Sequence, residues 1–517
     1  EALAAADPSR AERLARLALD RRPSFAAALA LARALEALQR HEEADAVSAE
    51  AIDLATRDEE RAVAAMSRVQ ALHYGLGRVG EAEAVLRDVA TVISDPAWRD
   101  VLAGHRAMTL AFAGHTEEAA AIAVPLLESP DERVRLRALS PAASLLTLGG
   151  TTDRVLTASA ACVEPALRLR GELPAAPFWV ASTRLLALLV AGELAEANSL
   201  LDLIDRVDAA ADAESRGFVH LARGRLALFE GRVVTAATHL REAVALLDDA
   251  NTAGRQSWGL CLLAEALACM GDAGGAQRAV EEADRAARPT THLYDGDAAR
   301  ARAWALVAAG LMSDARDVLF TVAEANKARA PVYELFALHD AVRLGTPSET
   351  AQDLAELAER IDGRWAPVFA AHAKAARRDD ASALDAVAVH FEQIGAYLLA
   401  AEAAAEAAAA HRHAGRTGSA TLAAARTATL AAHCEGAMTP VLRHPQPDLG
   451  LTDREREIAV LAARGWSSPQ IAARLVLSVR TVDNHLQRVY AKLGINRRND
   501  LSSRLTLLEE PLAPQVE

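Results

Sequence analysis

Near the end of the chain, Asp483, Asn484, Gln487 and Arg488 carry the side-chain chemistry needed to read base edges. Asn and Gln can pair two-fold with adenine, and Asp can accept from the N4 amino group of cytosine. On a helix, 483, 484 and 487 share one face, opposite Val482, Leu486, Val489 and Leu493, whose spacing is that of a buried stripe. Arg480, Lys492, Arg497 and Arg498 surround the polar face and suit phosphates, which orient a protein on nucleic acid without reading its sequence. Thr481 opens the same helix. His485 lies between the two faces, placed to hydrogen-bond a phosphate or, the preferred reading, to brace the turn.

No comparable constellation occurs elsewhere. There is no G-x-x-x-x-G-K-[ST] loop to cradle phosphates, no G-x-S-x-G elbow and no H-E-x-x-H pair. No catalytic residues, cofactor or metal ligands are therefore expected, and the chain reads as a non-enzyme. His411, His413 and His433 are close in sequence, but positions i and i+2 of a helix do not share a face, so they read as solvated. Asp248-Asp249 and Asp379-Asp380 read as helix-end pairs. Cys162, Cys261, Cys269 and Cys434 show no C-x-x-C spacing and read as buried small hydrophobes in a reducing compartment.

The base-reading face needs a frame, and the residues around it supply one. Thr452 with Glu455 and Ser467 with Gln470 form two capping boxes, each opening an apolar-periodic run. Pro469 sits in the first turn of the second run, where a missing N–H costs nothing. Gly465 ends the first helix, Ile471 and Leu475 face inward on the second, and Ser478 caps the third, which Gly494 ends. A fourth helix is expected through Leu501 and Leu505, capped by Asn496 or Asn499. Two helices joined by a short turn, the second polar on one outer face, describe a helix-turn-helix. Charge agrees with this. Residues 450–508 hold ten basic and five acidic side chains in a chain of net −14, an electrostatic footprint of a nucleic-acid module. The alternative is a small bundle with a solvated basic face.

These residues resemble the LuxR-type DNA-binding domain of bacterial transcription regulators. The matching positions are Leu451, Thr452, Arg454, Glu455, Glu457, Gly465, Ile471, Ala472, Leu475, Ser478, Thr481, Val482, His485, Lys492, Leu493 and Arg498. The position after Thr481-Val482 is commonly Lys or Glu in that family and is Asp483 here. Where it is basic, the resemblance implies a base or phosphate contact that Asp cannot make.

The preceding residues repeat. Gly followed five positions later by Ala opens an amphipathic helix at Gly77/Ala82, Gly114/Ala119, Gly192/Ala197, Gly231/Ala236, Gly271/Ala276, Gly310/Ala315 and Gly415/Ala420, with Gln39/Ala44 as a variant. Weak copies lie near Gly150, Gly345 and Arg378, giving about eleven units with a period near 38. Such units cannot bury their apolar faces alone and must stack. Aromatics are only 4%, so the core should be close helix packing through small residues, with tryptophans wedged between helices. The expected fold class is all-α: a tetratricopeptide-like α-solenoid followed by a four-helix LuxR-type helix-turn-helix domain.

The expected domains are a repeat superhelix over 1–433, a Pro-rich linker over 434–449, the helix-turn-helix domain over 450–508 and an acidic tail over 509–517. Pro440, Pro445 and Pro447 should hold the linker extended, and the module should fold and bind DNA alone. The apolar run Leu185–Val190 falls well short of the ~20 residues of a membrane span. The start lacks Met and a secretory leader and reads as mid-helix, so the chain is expected to be a piece of a longer protein.

This order of parts resembles the large ATP-binding regulators of the LuxR family, in which an ATP-binding domain precedes a helical superhelix. The reading is a cytoplasmic, sequence-specific DNA-binding transcription regulator. Its expected partners are double-stranded DNA, a second copy on DNA, RNA polymerase, and a protein or small-molecule effector on the solenoid, with no membrane. The alternatives are the C-terminal part of an ATP-driven switch, or a repeat scaffold localised to DNA.

Overall fold

The structure, a computed structural model, describes residues 7–207, 213–248, 254–443, 451–495, 497–498 and 501. Every regular element among these is helical. Asp249, Pro445, Pro447, Asn496, Asn499, the run from 502 through Leu505 and the acidic tail lie outside them. Leu501 is described and is buried.

After a first helix, Pro8–Arg21, the arm is built from eleven helical hairpins, the first being Phe25–Ala37 with His41–Leu54 and the last Tyr397–His413 with Thr417–Ala431. The repeat signature marks the turn inside each hairpin. At all eleven turns the marker residue has a positive φ, from 49° at Asp379 to 89° at Gly345. Gly231 shows why glycine suits the place: its φ is +84°, and a Cβ there would meet the Leu398 side chain at 2.5 Å and the Leu398 nitrogen at 2.8 Å. Gln39 and Asp379 take the same conformation at the two turns without glycine. The residue five positions on is buried in every hairpin. It is the expected Ala in eight, and Val155, Thr350 and Leu384 in the three weak copies.

The turns also hold the superhelix to itself. Carbonyls at or just past the ends of several hairpins' first helices accept hydrogen bonds from donors much later in the chain. His292 N donates to the Phe112 carbonyl at 2.6 Å, Asp362 N to Gly150 at 2.8 Å, Arg364 N to Ala191 at 2.7 Å and Met438 N to Cys269 at 2.7 Å. Arg288 joins the Tyr74 carbonyl, and the Trp365 indole N–H donates to the Leu189 carbonyl at 3.0 Å, 176 residues earlier. Helix-end carbonyls that would otherwise lack partners are thereby satisfied, and successive turns of the superhelix are stacked.

A continuous apolar core fills the arm from Leu185 to Cys434, rich in Ala and Leu, with Trp258, Trp304 and Trp365 buried within it. Inside it lies a charged network. Asp297 accepts from the Trp258 indole at 2.8 Å and the Tyr333 hydroxyl at 3.3 Å, and Arg300 donates to Asp340 at 2.8 Å. Buried charges persist when paired and fully hydrogen-bonded, which is the arrangement here.

Two expectations need correction. His411 is buried and bonds to Asp385 at 2.8 Å, so it is not a solvated position. Met438 to Arg443 is not extended. It forms a turn in which Leu442 N and Arg443 N both donate to the Thr439 carbonyl, and Met438 packs against Gly271. The module also forms a joint with the arm, described below.

Candidate nucleic-acid interface

Among the described residues the module has three helices: Asp453–Ala463, Ser468–Arg474 and Val479–Leu493. Both capping boxes form as the sequence implies. Thr452 accepts from Glu455 N while the Glu455 carboxylate accepts from Thr452 N at 2.9 Å, and Ser467 N donates to Gln470 at 2.8 Å. Ser478 accepts from Thr481 N at 3.0 Å and sets the start of the third helix. Gly465 and Gly494 end the first and third helices with φ of +86° and +65°.

The third helix divides as its spacing dictates. Val482, Leu486, Val489 and Leu493 are buried against Ile458, Leu461 and Ile471. Asp483, Asn484, Gln487 and Arg488 are exposed together on the outer face, and Arg480 and Arg497 are exposed beside them. Thr481 is half-buried, its hydroxyl 2.7 Å from that of Ser478. His485 is half-buried, with Nδ1 enclosed and without a hydrogen-bond partner.

Two of the cations bond within the module. Lys492 donates to Glu455 at 2.6 Å, and this contact, together with the Thr452 amide, holds the Glu455 carboxyl below the usual carboxylate range. Arg498 reaches the Trp466 carbonyl and ties the end of the module to the turn after its first helix. Both side chains therefore have a structural task that their charge alone did not reveal.

The sequence reading missed Val476 and Val479. Val476 lies in the turn between the second and third helices, is 91% exposed, and has a φ of +52°, an outlier for a β-branched residue. Val479 is 42% exposed at the start of the third helix. The signal was available: two valines frame Ser478 in a stretch that must face outward if the third helix is to reach DNA.

The module sits on the arm at the hairpin whose marker is Gly310. Leu311 belongs to the module's apolar core. Arg464 donates to the Ala309 carbonyl at 2.9 Å, Ser313 to Glu457 at 2.9 Å, and Arg474 pairs with Asp314. Val460 lies over Gly310. Charge and spacing within the module carried no trace of this joint, because its arm side is an ordinary repeat turn.

Residues 449–504 match the family described as bacterial regulatory proteins, luxR family, and form a helix-turn-helix domain of that family. Over 58 residues the chain is 47% identical to the probable transcriptional regulatory protein SgaR of Hyphomicrobium methylovorum, covering 11% of this chain and 27% of that protein. Over 68 residues it is 40% identical to the DNA-binding transcriptional activator DevR/DosR of Mycobacterium tuberculosis, covering 13% of this chain and 31% of that protein. The chain thus spans less than a third of the length of these relatives. The crystal structure of a Rap protein complexed with competence and sporulation factor is similar with a TM-score of 0.43 and 12% identity, covering 71% of this chain and 99% of that one.

Proposed function

We propose that the chain is a bacterial transcription regulator that binds double-stranded DNA through the outer face of Val479–Leu493, while its arm receives an effector or partner protein. The carrying observation is the division of that helix. Its apolar stripe is locked into the module, and three side chains with base-pairing capacity stand exposed together on the other side. Arg480, Arg488 and Arg497 are the exposed cations for phosphates, with Lys492 contributing beside its bond to Glu455. Asp483 stands where the family commonly has Lys or Glu, and it favours a base that offers a donor, such as cytosine.

Effector reception by the arm is supported by the joint itself. Any change in how the superhelical turns stack moves the surface on which the module rests. A second copy on an adjacent half-site and contact with RNA polymerase in the cytoplasm belong to the same proposal. The test is selection of bound fragments from a bacterial genome by the purified chain. Recovery of one sequence motif, at salt concentrations that remove random DNA, supports the reading. Recovery of fragments with no shared motif overturns it.

A further inference from the structure

The joint between arm and module follows a rule that seven consecutive arm turns share. At each turn from Gly77 to Gly310 a residue from a later segment lies over the marker glycine. Leu398 packs on Gly231, and Met438 packs on Gly271 while its amide bonds to Cys269. At the next turn in the series, Gly310, the occupant is the module: Val460 covers the glycine and Arg464 bonds to Ala309. The module is thus seated as the next course of the superhelix.

The seat takes the module's first helix, the turn after it and Arg474 of its second. The outer face of the third helix is left open, with Asp483, Asn484, Gln487 and Arg488 all exposed in the seated form. From this geometry we infer that the module reads DNA while seated on the arm, so that the Gly310 turn is a mount that fixes how the arm projects from the duplex, and not a restraint that must release before binding. The inference rests on the DNA-binding reading above.

A disulfide lock tests it in the full chain. Gly310→Cys with Val460→Cys places one thiol-bearing carbon where a Cβ would lie 3.6 Å from the nearest Val460 methyl. The positive φ at this turn is already borne by Gln39 and Asp379 at equivalent places. The four native cysteines are buried and unbridged. The oxidised lock is expected to bind the selected DNA within about threefold of the wild type, and a loss of about tenfold or more, restored by reduction, overturns the inference. Failure of the bridge to form counts against the seated geometry and so against the inference.

Leu311→Glu provides the second readout. It drives a charge into the module's core contact and opens the seat, seen as faster hydrogen exchange over 457–475, with an added negative charge that can only weaken non-specific DNA binding. Affinity for the selected site is expected to hold or fall, and a rise of about tenfold shows that the seat restrains binding and overturns the inference. If the wild-type chain itself selects no DNA motif, the DNA-binding reading fails first, a result distinct from failure of the lock.

Discussion

The Ser313 hydroxyl of the arm lies 2.9 Å from the Glu457 carboxylate of the module, and that side chain is 1% exposed. Arg454 donates to the same oxygen at 2.8 Å, while the other oxygen has no partner. A buried carboxylate held by one arginine and one hydroxyl depends on both, since an unsatisfied buried acceptor carries most of its desolvation cost. The arm therefore supplies one of the two groups that hold this buried carboxylate.

Ser313→Ala should destabilise the joint by about 1–3 kcal/mol, the range for a lost hydrogen bond to a charged group. The check is hydrogen exchange across Asp453–Ala463 in the full chain. Faster exchange there, with the rest of the arm unchanged, is the expected result. Unchanged exchange would mean that the contact holds nothing.

The hairpin turns make a paired prediction. Gly415→Ala adds a Cβ into open space at a φ of +70° and should cost only the left-handed strain, about 1–2 kcal/mol. Gly231→Ala adds the same strain plus overlap with Leu398, and should cost roughly 1–3 kcal/mol more. Urea denaturation of the two variants side by side measures the difference. Equal losses would show that the Gly231 turn is not packed as described.

These turns were also the most legible part of the sequence. A glycine and an alanine five residues apart have strong physical reasons for their places, namely a positive φ and a close helix approach, so the hairpins could be counted without coordinates. The capping boxes at Thr452 and Ser467 were legible for the same reason, since both partners lie within one turn. What could not be read joins residues far apart: Ser313 with Glu457, Arg343 with Glu402, Met438 with Cys269. His411 was misread as solvated because its partner, Asp385, lies on the neighbouring hairpin and local periodicity says nothing of it.

Arg343 donates from Nε and Nη2 to the two oxygens of Glu402 at 2.7 and 3.0 Å, with both side chains buried. Glu402→Ala should cost about 3–5 kcal/mol, because it removes two of the bonds of a buried guanidinium and leaves it the one to Asp340 at 3.0 Å. The double variant Arg343→Met with Glu402→Met should recover most of that loss. Thermal unfolding of single and double variants tests this, and a double variant as unstable as the single one contradicts it.

His73 predicts an acid sensitivity. It is fully buried among Tyr74 and Phe112, neither ring nitrogen has a partner, and burial pushes its pKa down to about 4. In the unfolded chain it titrates near ~6.5. Between these values the unfolded state binds more protons, so its contribution to stability is complete above about pH 6.5 and is lost as pH falls toward 4. His73→Phe should therefore lose less melting temperature than the wild type between pH 7 and pH 5. An identical loss would place the acid sensitivity elsewhere.

The most direct test of DNA reading by the third module helix is a pair of titrations, on the selected site and on random DNA, at several salt concentrations. Gln487→Ala and Asn484→Ala should each cost about 1–3 kcal/mol on the selected site and little on random DNA. Arg480→Ala should weaken both DNAs alike and lower the salt slope by about one. If Gln487→Ala and Asn484→Ala instead lost affinity equally for the two DNAs, the outer face of Val479–Leu493 would not be reading bases, and the account would be contradicted.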